Sequence, residues 1–277
     1  MSEEYLKSLF NIEDKVVAIT GGGGVLGTTL SQGLARAGAK LAILDIVDGA
    51  AERVADLILS EGGRAIPVCC NVTDKTSIEE AAKSVRQTYN RVDILINGAG
   101  GNMPQATTGP GLTFFDLPIE AIRGVFDLNF IGSILSSQVF GKLMAEQNEG
   151  IILNIASMNA IRPLTRIPAY SAAKAALTNF SQWLAVHMAQ EYSPSIRVNA
   201  IAPGFLFTEQ NRFLLTNTDT NELTSRGKKI IEHTPLGRFQ TPDELISTVI
   251  WLISPGSSAV TGIVVPVDGG FSAYSGV

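Results

Sequence analysis

Tyr170 and Lys174 have the residue types and the spacing of a proton-transfer pair. They lie four positions apart in a segment with a helical pattern, so their side chains share one helix face. A tyrosine hydroxyl, with an ordinary pKa of about 10, is a poor acid or base at neutral pH. A neighbouring ammonium stabilises the phenolate, so we expect Lys174 to lower the pKa of Tyr170. The pair therefore predicts acid–base chemistry at an oxygen of a bound substrate.

Two polar residues at strand ends give this spacing a structural context. A Tyr-x-x-x-Lys pattern alone is frequent by chance and also fits a solvated helix face. Ser157, however, ends an apolar segment 13 residues before Tyr170, and Asn97 ends another. The carboxyl ends of parallel strands share one edge of a sheet, where open α/β sheets bind ligands. We therefore expect Ser157, Tyr170 and Lys174 to share a crevice with the turn at 97–100.

A glycine loop precedes these residues in the chain. Gly22-x-Gly24-x-x-Gly27 follows the first predicted strand and opens a helix, and Asp45 ends the second strand. This context is that of the dinucleotide-binding fingerprint, in which pyrophosphate lies at a helix N-terminus. Asp45 could accept hydrogen bonds from both adenosine ribose hydroxyls and would repel a 2′-phosphate, which favours NAD(H) over NADP(H). A ligand-free glycine turn and a surface carboxylate are the competing interpretations.

Strand and helix patterns alternate along the chain. The strands and helices that they predict must position the residues named above. The predicted strands are 15–20, 40–45, 65–70, 92–97, 150–156, 195–201 and 262–267, with a long helical segment at 118–147. The alternation predicts an α/β, single-domain Rossmann fold: a doubly wound parallel sheet of about seven strands with helices on both faces. We expect one domain over 1–277, with a core at 13–204, a substrate lid at 205–235 and a C-terminal helix, strand and tail at 236–277.

Composition and charge exclude several classes of protein. The 277 residues are 45% hydrophobic and 17% charged, which predicts a large core rather than disorder. The net charge of −5 argues against nucleic acid as a partner. No apolar run approaches the roughly 18 residues of a membrane span. The polar start does not resemble a signal peptide, so we expect a cytoplasmic protein with no membrane partner.

Cysteines and histidines are few. Cys69 and Cys70 are adjacent, which excludes a disulfide framework, and we expect them to be buried reduced thiols. His187 and His233 are isolated in the sequence, so no metal site is expected.

Together these motifs resemble the short-chain dehydrogenase/reductase family over essentially the whole chain. The matching positions are Thr20-Gly21 with the glycine loop, Asp45, Asp93, Asn97-Gly-Ala-Gly100, Asn129, Ser157, Tyr170, Lys174, Pro203-Gly204, Thr208 and Asp268-Gly-Gly270. The resemblance implies an NAD(H)-dependent oxidoreductase acting on a secondary alcohol or ketone. It also implies a homotetramer, to which Phe180, Trp183 and Met188 could contribute an apolar interface, although the same residues could be core.

The resemblance implies roles for four catalytic residues. Tyr170 would pass a proton to or from a carbonyl oxygen that Ser157 holds. Lys174 would lower the Tyr170 pKa and bind the nicotinamide ribose, and Asn129 would anchor a water-linked relay behind it. The implied cofactor-binding residues are Gly21, Gly22, Gly24, Val25, Leu26, Gly27, Asp45, Asn71, Val72, Asn97, Gly98, Ala99, Tyr170, Lys174, Pro203, Gly204 and Thr208.

Three positions depart from the family pattern. Val25 stands where the usual loop has its middle glycine, with Gly24 one residue earlier. Gly98 replaces the second Asn of the usual Asn-Asn-Ala-Gly, and Asn71 replaces an Asp that often faces adenine. The role of each loop glycine is therefore open, whereas an amide at position 71 can still bond an exocyclic amine.

The predicted substrate is a polyhydroxy carboxylate. Guanidinium groups bind carboxylates in a bidentate way, and amides suit hydroxyls. The candidate substrate residues are Asn102, Ser157, Arg162, Arg166, Gln210 and Arg212. For the arginines, solvated or inter-subunit charges are an equal alternative. The segments 101–104, 208–212 and 270–277 resemble the sugar-acid branch of the family. This resemblance implies reversible reduction of D-fructuronate to D-mannonate. Another polyol or sugar-acid dehydrogenase, such as a gluconate 5-dehydrogenase, is the alternative, and a non-catalytic nicotinamide-binding sensor is the alternative from a different class.

Overall fold

A computed structural model describes residues 2–208, 212–217, 220 and 222–276. Seven parallel strands form one sheet in the order β3-β2-β1-β4-β5-β6-β7. The strands are β1 (Val16–Thr20), β2 (Lys40–Asp45), β3 (Arg64–Cys69), β4 (Ile94–Asn97), β5 (Gly150–Ile155), β6 (Ile196–Pro203) and β7 (Val264–Val267). The central strands are apolar on both faces and buried, because helices cover both faces of a parallel sheet.

Two groups of helices cover the sheet. The helices are α1 (Glu3–Phe10), α2 (Val25–Arg36), α3 (Ala50–Ser60), α4 (Lys75–Tyr89), α5 (Ile119–Phe126), α6 (Gly132–Gln147), α7 (Pro168–Glu191), α8 (Arg212–Leu215), α9 (Ser225–Glu232) and α10 (Ile246–Ile253). Helices α2, α3 and α10 pack apolar side chains on one face of the sheet. Helices α4, α6 and α7 pack theirs on the other. The fold class predicted from the sequence is thereby confirmed.

The strand order reverses between β1 and β4. Thr20 at the end of β1 pairs in register with Asn97 at the end of β4, which pairs in turn with Asn154 of β5. The loops that leave these three strands therefore emerge side by side at one edge of the sheet. This reversal is the point where ligands bind in open α/β sheets.

Three local features differ from the sequence expectations. The helical segment predicted at 118–147 is divided into α5 and α6 by a wider turn of π-helix, Asp127–Ile131. The helix α1 was not predicted, because its segment is short, polar and acidic and buries none of its residues. Cys70 is buried as expected, whereas the expectation was wrong for Cys69, which is exposed at the end of the outermost strand β3.

Within the part of the chain that the structure describes, no helix combines the length and the apolar character needed to cross a bilayer.

Candidate active site

The glycine loop lies directly against the turn that follows β4. The Thr20 hydroxyl oxygen accepts hydrogen bonds from the backbone N–H groups of Gly98 (3.1 Å) and Ala99 (3.2 Å). A Cβ on Gly21, whose φ is +66°, would lie 2.8 Å from the Ala99 Cα. The two backbones therefore meet with no room for a side chain between them, which explains a glycine at position 21.

The start of α2 is equally tight. A Cβ on Gly27 would lie 2.2 Å from the Gly21 carbonyl oxygen and 2.7 Å from the Gly22 Cα. Val25, in contrast, occupies the first turn of α2 without conflict and lines the cleft beside Gly24. The departure from the usual glycine spacing therefore leaves the close packing of helix against loop intact.

Asp45 closes the loop on the side of β2. One carboxylate oxygen accepts from the Gly23 N–H and the other from the Val47 N–H, both at 2.9 Å. The side chain still lines the cleft, although the residue is only 8% exposed. Arg53 of α3 donates from Nη2 to the Gly23 carbonyl oxygen at 2.8 Å. This guanidinium was missed in the sequence because it lies outside the loop and reaches it only through the packing of α3.

Ser157, Tyr170 and Lys174 lie together at the edge of the sheet. Tyr170 is hydrogen-bonded to Ser157. Lys174 is buried, donates from Nζ to the Ile155 carbonyl oxygen at 2.8 Å, and lies 5.7 Å from the Tyr170 ring centroid. The arrangement brings a hydroxyl donor, a phenol and an ammonium to one wall of the cleft, where they could exchange a proton with a bound oxygen.

The expected effect of Lys174 on Tyr170 is not what the geometry gives. Burial raises the pKa of Tyr170, and the hydrogen bond with Ser157 offsets part of that increase. Burial also lowers the pKa of Lys174 from 10.5 to about 8. The pKa of Tyr170 is therefore raised and not lowered as expected, because the loss of hydration of its phenolate has the largest effect on it.

Asn129 lies in the π-helical turn and connects the wall to the turn after β4. Its amide donates to the carbonyl oxygens of Gly101 (2.7 Å) and Val125 (2.8 Å), while its Oδ1 accepts from the Gly101 N–H at 3.0 Å. A Cβ on Gly100 would lie 2.7 Å from Asn129 Oδ1 and 3.1 Å from Lys174 Nζ. Only glycine at position 100 allows these two side chains to approach from either side.

Asn159 positions Ser157 and was not singled out in the sequence. Its backbone N–H and its amide both donate to the Ser157 hydroxyl oxygen at 3.2 Å. Its own Oδ1 accepts from the Leu164 N–H and the Ser171 hydroxyl, each at 3.2 Å. With the lone pairs of its oxygen occupied, Ser157 acts as a donor, and its partner at the cleft wall is the Tyr170 oxygen. A buried Asn two positions after a strand-end serine was the available signal.

Four residues expected to bind a cofactor are placed away from the cleft surface. The Asn97 amide is buried and donates to Ser137 (3.1 Å) and Asn154 (2.8 Å) beneath the sheet edge. The Asn71 side-chain oxygen accepts from Thr73, which forms a local turn. Val72 packs against Gly132, and Gly22 packs against the side chains of β1 and β2. These residues shape the backbone behind the cleft.

The remaining expected cofactor residues line one cavity of about 570 Å³ with the catalytic candidates. Its wall includes Gly21, Gly24, Val25, Leu26, Gly27, Asp45, Gly98, Ala99, Pro203, Gly204 and Thr208, together with Ser157, Tyr170 and Lys174. At the mouth, a Cβ on Gly204 would lie 2.6 Å from the Asp268 Cα. The turn after β6 is thus packed on the turn after β7.

The expected substrate residues do not converge. Arg162 donates from Nε to the Ser272 carbonyl oxygen at 3.0 Å, and the Asn102 amide donates to the Thr107 hydroxyl at 2.7 Å. The Arg212 guanidinium lies over the Phe207 ring, 5.1 Å from its centroid. Arg166 lines an adjoining cavity, and Gln210 lies outside the described residues.

Arg226 was not predicted, yet it lines the cleft wall. It lies on α9, 52 residues after Lys174, so only the tertiary fold brings it near. Across residues 2–208, 212–217, 220 and 222–276, no group of three or more His, Cys, Asp or Glu is arranged to hold a metal ion.

The chain is similar to known oxidoreductases over most of its length. A family model described as enoyl-(acyl carrier protein) reductase matches residues 24–272. UxuB of Bacillus subtilis (strain 168), an uncharacterized oxidoreductase, is 46% identical over 276 residues, covering 96% of this chain and 98% of the relative. An uncharacterized oxidoreductase of Haemophilus influenzae is 48% identical over 278 residues, covering 96% of each chain.

A solved structure and a more distant relative extend the comparison. A Haemophilus influenza protein provisionally named a D-mannonate oxidoreductase, crystallised with bound NAD, has a TM-score of 0.91 at 46% identity, covering 98% of this chain and 100% of that chain. The 5-keto-D-gluconate 5-reductase of Escherichia coli (strain K12) is 30% identical over 265 residues, covering 96% of this chain and 98% of the relative.

The contact of Gly27 with the loop predicts a measurable cost for an added methyl group. Gly27→Ala must displace backbone atoms of Gly21 and Gly22, so we expect the free energy of unfolding to fall by about 1–3 kcal/mol. Urea unfolding followed by circular dichroism measures it. Gly111→Ala is the matched control, because a Cβ there meets nothing within 4 Å. Equal unfolding midpoints for both variants would contradict the packing argument.

Proposed function

Because the chain belongs to the short-chain dehydrogenase/reductase family, we propose that it transfers hydride reversibly between NAD(H) and a sugar acid. The substrate we favour is D-fructuronate, whose ketone is reduced to the secondary alcohol of D-mannonate. The observation that carries the proposal is the single cleft that Asp45 and the glycine loop share with Ser157, Tyr170 and Lys174. An oxidoreductase acting on a CH–OH group needs these two sets of residues side by side.

The cleft fits a dinucleotide. The glycine loop lines the cleft at the start of α2, where backbone N–H groups and the helix dipole favour a pyrophosphate. The Asp45 carboxylate would accept the hydroxyls of the adenosine ribose with its remaining lone pairs, and its charge disfavours a 2′-phosphate. A related protein at 46% identity binds NAD. When bound, the nicotinamide supplies or accepts the hydride.

Tyr170 is the group that moves the proton. Its pKa is raised by burial, so the hydroxyl is protonated at neutral pH and suited to donate to a carbonyl oxygen that gains negative charge. Ser157 is oriented by Asn159 and donates its own proton in a hydrogen bond to that same oxygen. In the oxidation direction Tyr170 accepts the alcohol proton instead.

Lys174 and Asn129 support this transfer. The Lys174 ammonium, anchored on the Ile155 carbonyl oxygen, keeps a positive charge beside the phenol and stabilises the phenolate left after proton donation. Asn129 holds the Gly101 backbone on the far side of Gly100 from Lys174. We assign it the anchoring of a water-linked proton relay behind Lys174.

Two observations support a sugar acid as substrate. A related structure carries the provisional name D-mannonate oxidoreductase, and a relative at 30% identity is named for 5-keto-D-gluconate. The second name favours 5-ketogluconate reduction as the alternative within the same chemical class. Residues 205–235 would then act as the substrate lid over the 13–204 core, with 236–277 completing the same domain.

A homotetramer is part of the proposal. Trp183 of α7 is 56% exposed and stacks between Phe180 and His187 beside an apolar groove between α6 and α7. An exposed tryptophan beside an apolar groove is typical of a protein–protein interface. We also propose that the protein works in the cytoplasm, with a small-molecule substrate and no nucleic-acid or membrane partner.

The substrate proposal is tested with a kinetic panel. We expect reduction of keto-hexuronates with NADH and oxidation of hexonates with NAD, with D-fructuronate giving the highest kcat/KM. Because Asp45 repels a 2′-phosphate, NADPH should be used at least about tenfold less efficiently. Initial rates followed at the NADH absorbance measure both ratios. Turnover restricted to ketones without a carboxylate would overturn the sugar-acid assignment.

The role of Tyr170 is tested by removing its hydroxyl. Loss of a general acid lowers rates by about 10²- to 10⁴-fold, so Tyr170→Phe should lose kcat to that extent. NADH affinity, measured by fluorescence titration, should stay nearly unchanged. Tyr192→Phe is the control, because Tyr192 lies exposed beyond the end of the same helix. A Tyr170→Phe enzyme as fast as this control would exclude the proton-donor role.

The lowered pKa of Lys174 predicts the pH dependence of ketone reduction. The ammonium is present below its pKa of about 8 and is lost as the pH rises through that value. We therefore expect kcat/KM to be constant at lower pH and to fall tenfold per pH unit above about 8. In Lys174→Arg the charge does not titrate, so the falling limb should move to higher pH. If kcat/KM falls over the same pH range in both enzymes, the group that titrates is not Lys174.

A further inference from the structure

A second cavity opens beside the cleft and has a strongly cationic rim. Its volume is about 380 Å³, and it lies between the loop before α7, the helix α9 and the turn after β7. Arg166, Arg226 and Lys229 contribute fixed positive charges, and His233 adds an imidazole. No Asp or Glu lines it among the residues that the structure describes. In a chain of net charge −5, this concentration of cations stands out.

The charges are not neutralised within the described ranges. Arg166, Arg226 and Lys229 form no ion pair there, although Arg36, Arg91 and Arg238 at other surfaces each do. Arg226, Lys229 and His233 follow one face of α9 and its C-cap at spacings of three and four. The like charges of Arg226 and Lys229 repel each other on one helix face and are stabilised when an anion binds between them.

The cavity has an apolar floor. Phe205 and Phe271 meet edge to face with ring centroids 5.1 Å apart, and Ile230 is a buried residue of α9. Apolar walls reduce the local dielectric constant and strengthen the attraction between a bound anion and the rim. Thr165 and Ser225 supply hydroxyls at the same rim, which suits a ligand that carries hydroxyl groups beside its charge.

The backbone of Arg166 is held in an unusual conformation. Its φ is +72°, in the left-handed region that non-glycine residues rarely adopt, and its carbonyl oxygen accepts from the Thr108 N–H at 2.8 Å. Such strain persists where the surroundings fix it, and it concentrates at binding sites. The conformation presents the Arg166 side chain to the same cavity as Arg226.

Arg226 and Phe205 line both cavities. A substrate whose carbonyl oxygen lies on Ser157 and Tyr170 therefore has a continuous path from the cleft past Arg226 into the cationic cavity. We propose that this cavity is the carboxylate-binding subsite of the enzyme, with Arg226 as its main contact and Arg166 and Lys229 beside it. The inference rests on the proposed function, because it assigns to these residues the acid group of the sugar-acid substrate.

Charge-assisted hydrogen bonds set the expected size of the effect. Arg226→Gln should raise KM for D-fructuronate by about 10- to 100-fold and leave kcat within about threefold. The KM for D-fructose, in which a hydroxymethyl group replaces the carboxylate, should rise much less than the KM for D-fructuronate. Lys228→Gln removes one positive charge from the same helix at a residue that lines neither cavity, and it should behave as the unaltered enzyme. Arg226→Lys keeps the charge without the bidentate geometry. Its KM for D-fructuronate should lie between those of Arg226→Gln and the unaltered enzyme.

A binding measurement tests the proposed carboxylate subsite independently of the substrate that the enzyme turns over. Malonate, a compact dicarboxylate, is titrated by calorimetry into the NADH-saturated protein and the two glutamine variants. We expect Arg226→Gln to bind it about tenfold or more weakly than Lys228→Gln. Equal malonate affinities in these two variants, or no binding to the unaltered protein, overturn the subsite whatever the enzyme turns over. Malonate binding that depends on Arg226, in a protein that turns over no sugar acid, supports the subsite and overturns the proposed substrate.

Discussion

The direct contact of two backbone loops is the constraint on which the site depends. The loop after β1 and the turn after β4 meet at the reversal of strand order, with Thr20 bonded to both Gly98 and Ala99. No Cβ fits at Gly21 or Gly27. Because side chains are excluded, the distance between the loops is set by backbone atoms alone. Backbone packing therefore fixes the position of the cleft floor. Asp45 and Tyr170 lie on the walls that border this floor.

Desolvation determines the chemistry available on that floor. The same burial that raises the pKa of Tyr170 lowers the pKa of Lys174, because each group loses part of the hydration that stabilises its charged form. Hydrogen bonds with Ser157 and the Ile155 carbonyl oxygen hold both side chains in place. A neutral phenol beside a partly desolvated ammonium is arranged for donation of a proton into a cleft from which water is displaced.

Local patterns predicted much of this, because parallel sheets translate sequence order into position. Strand ends at Asp45, Asn97 and Ser157 and the spacing of Tyr170 and Lys174 were sufficient to predict one crevice. The direction of the Tyr170 pKa was missed because desolvation depends on packing that no pattern encodes. The sequence did not predict that the Asn97 side chain is buried and bonded to Ser137 and Asn154. A side chain at a strand end can face either the cleft or the interior. Arg226 reaches the cleft only through the tertiary placement of α9.

The turn after β7 gives the cationic cavity a wall at the edge of the sheet. Asp268 accepts from the N–H groups of Gly270 and Ser272 and so holds the tail that carries Phe271. β7 pairs only with β6 and is half-exposed. Edge elements with few buried contacts open at a lower free energy than central strands. The central strands and the outer seam formed by β7 and its tail therefore differ in the free energy at which they open.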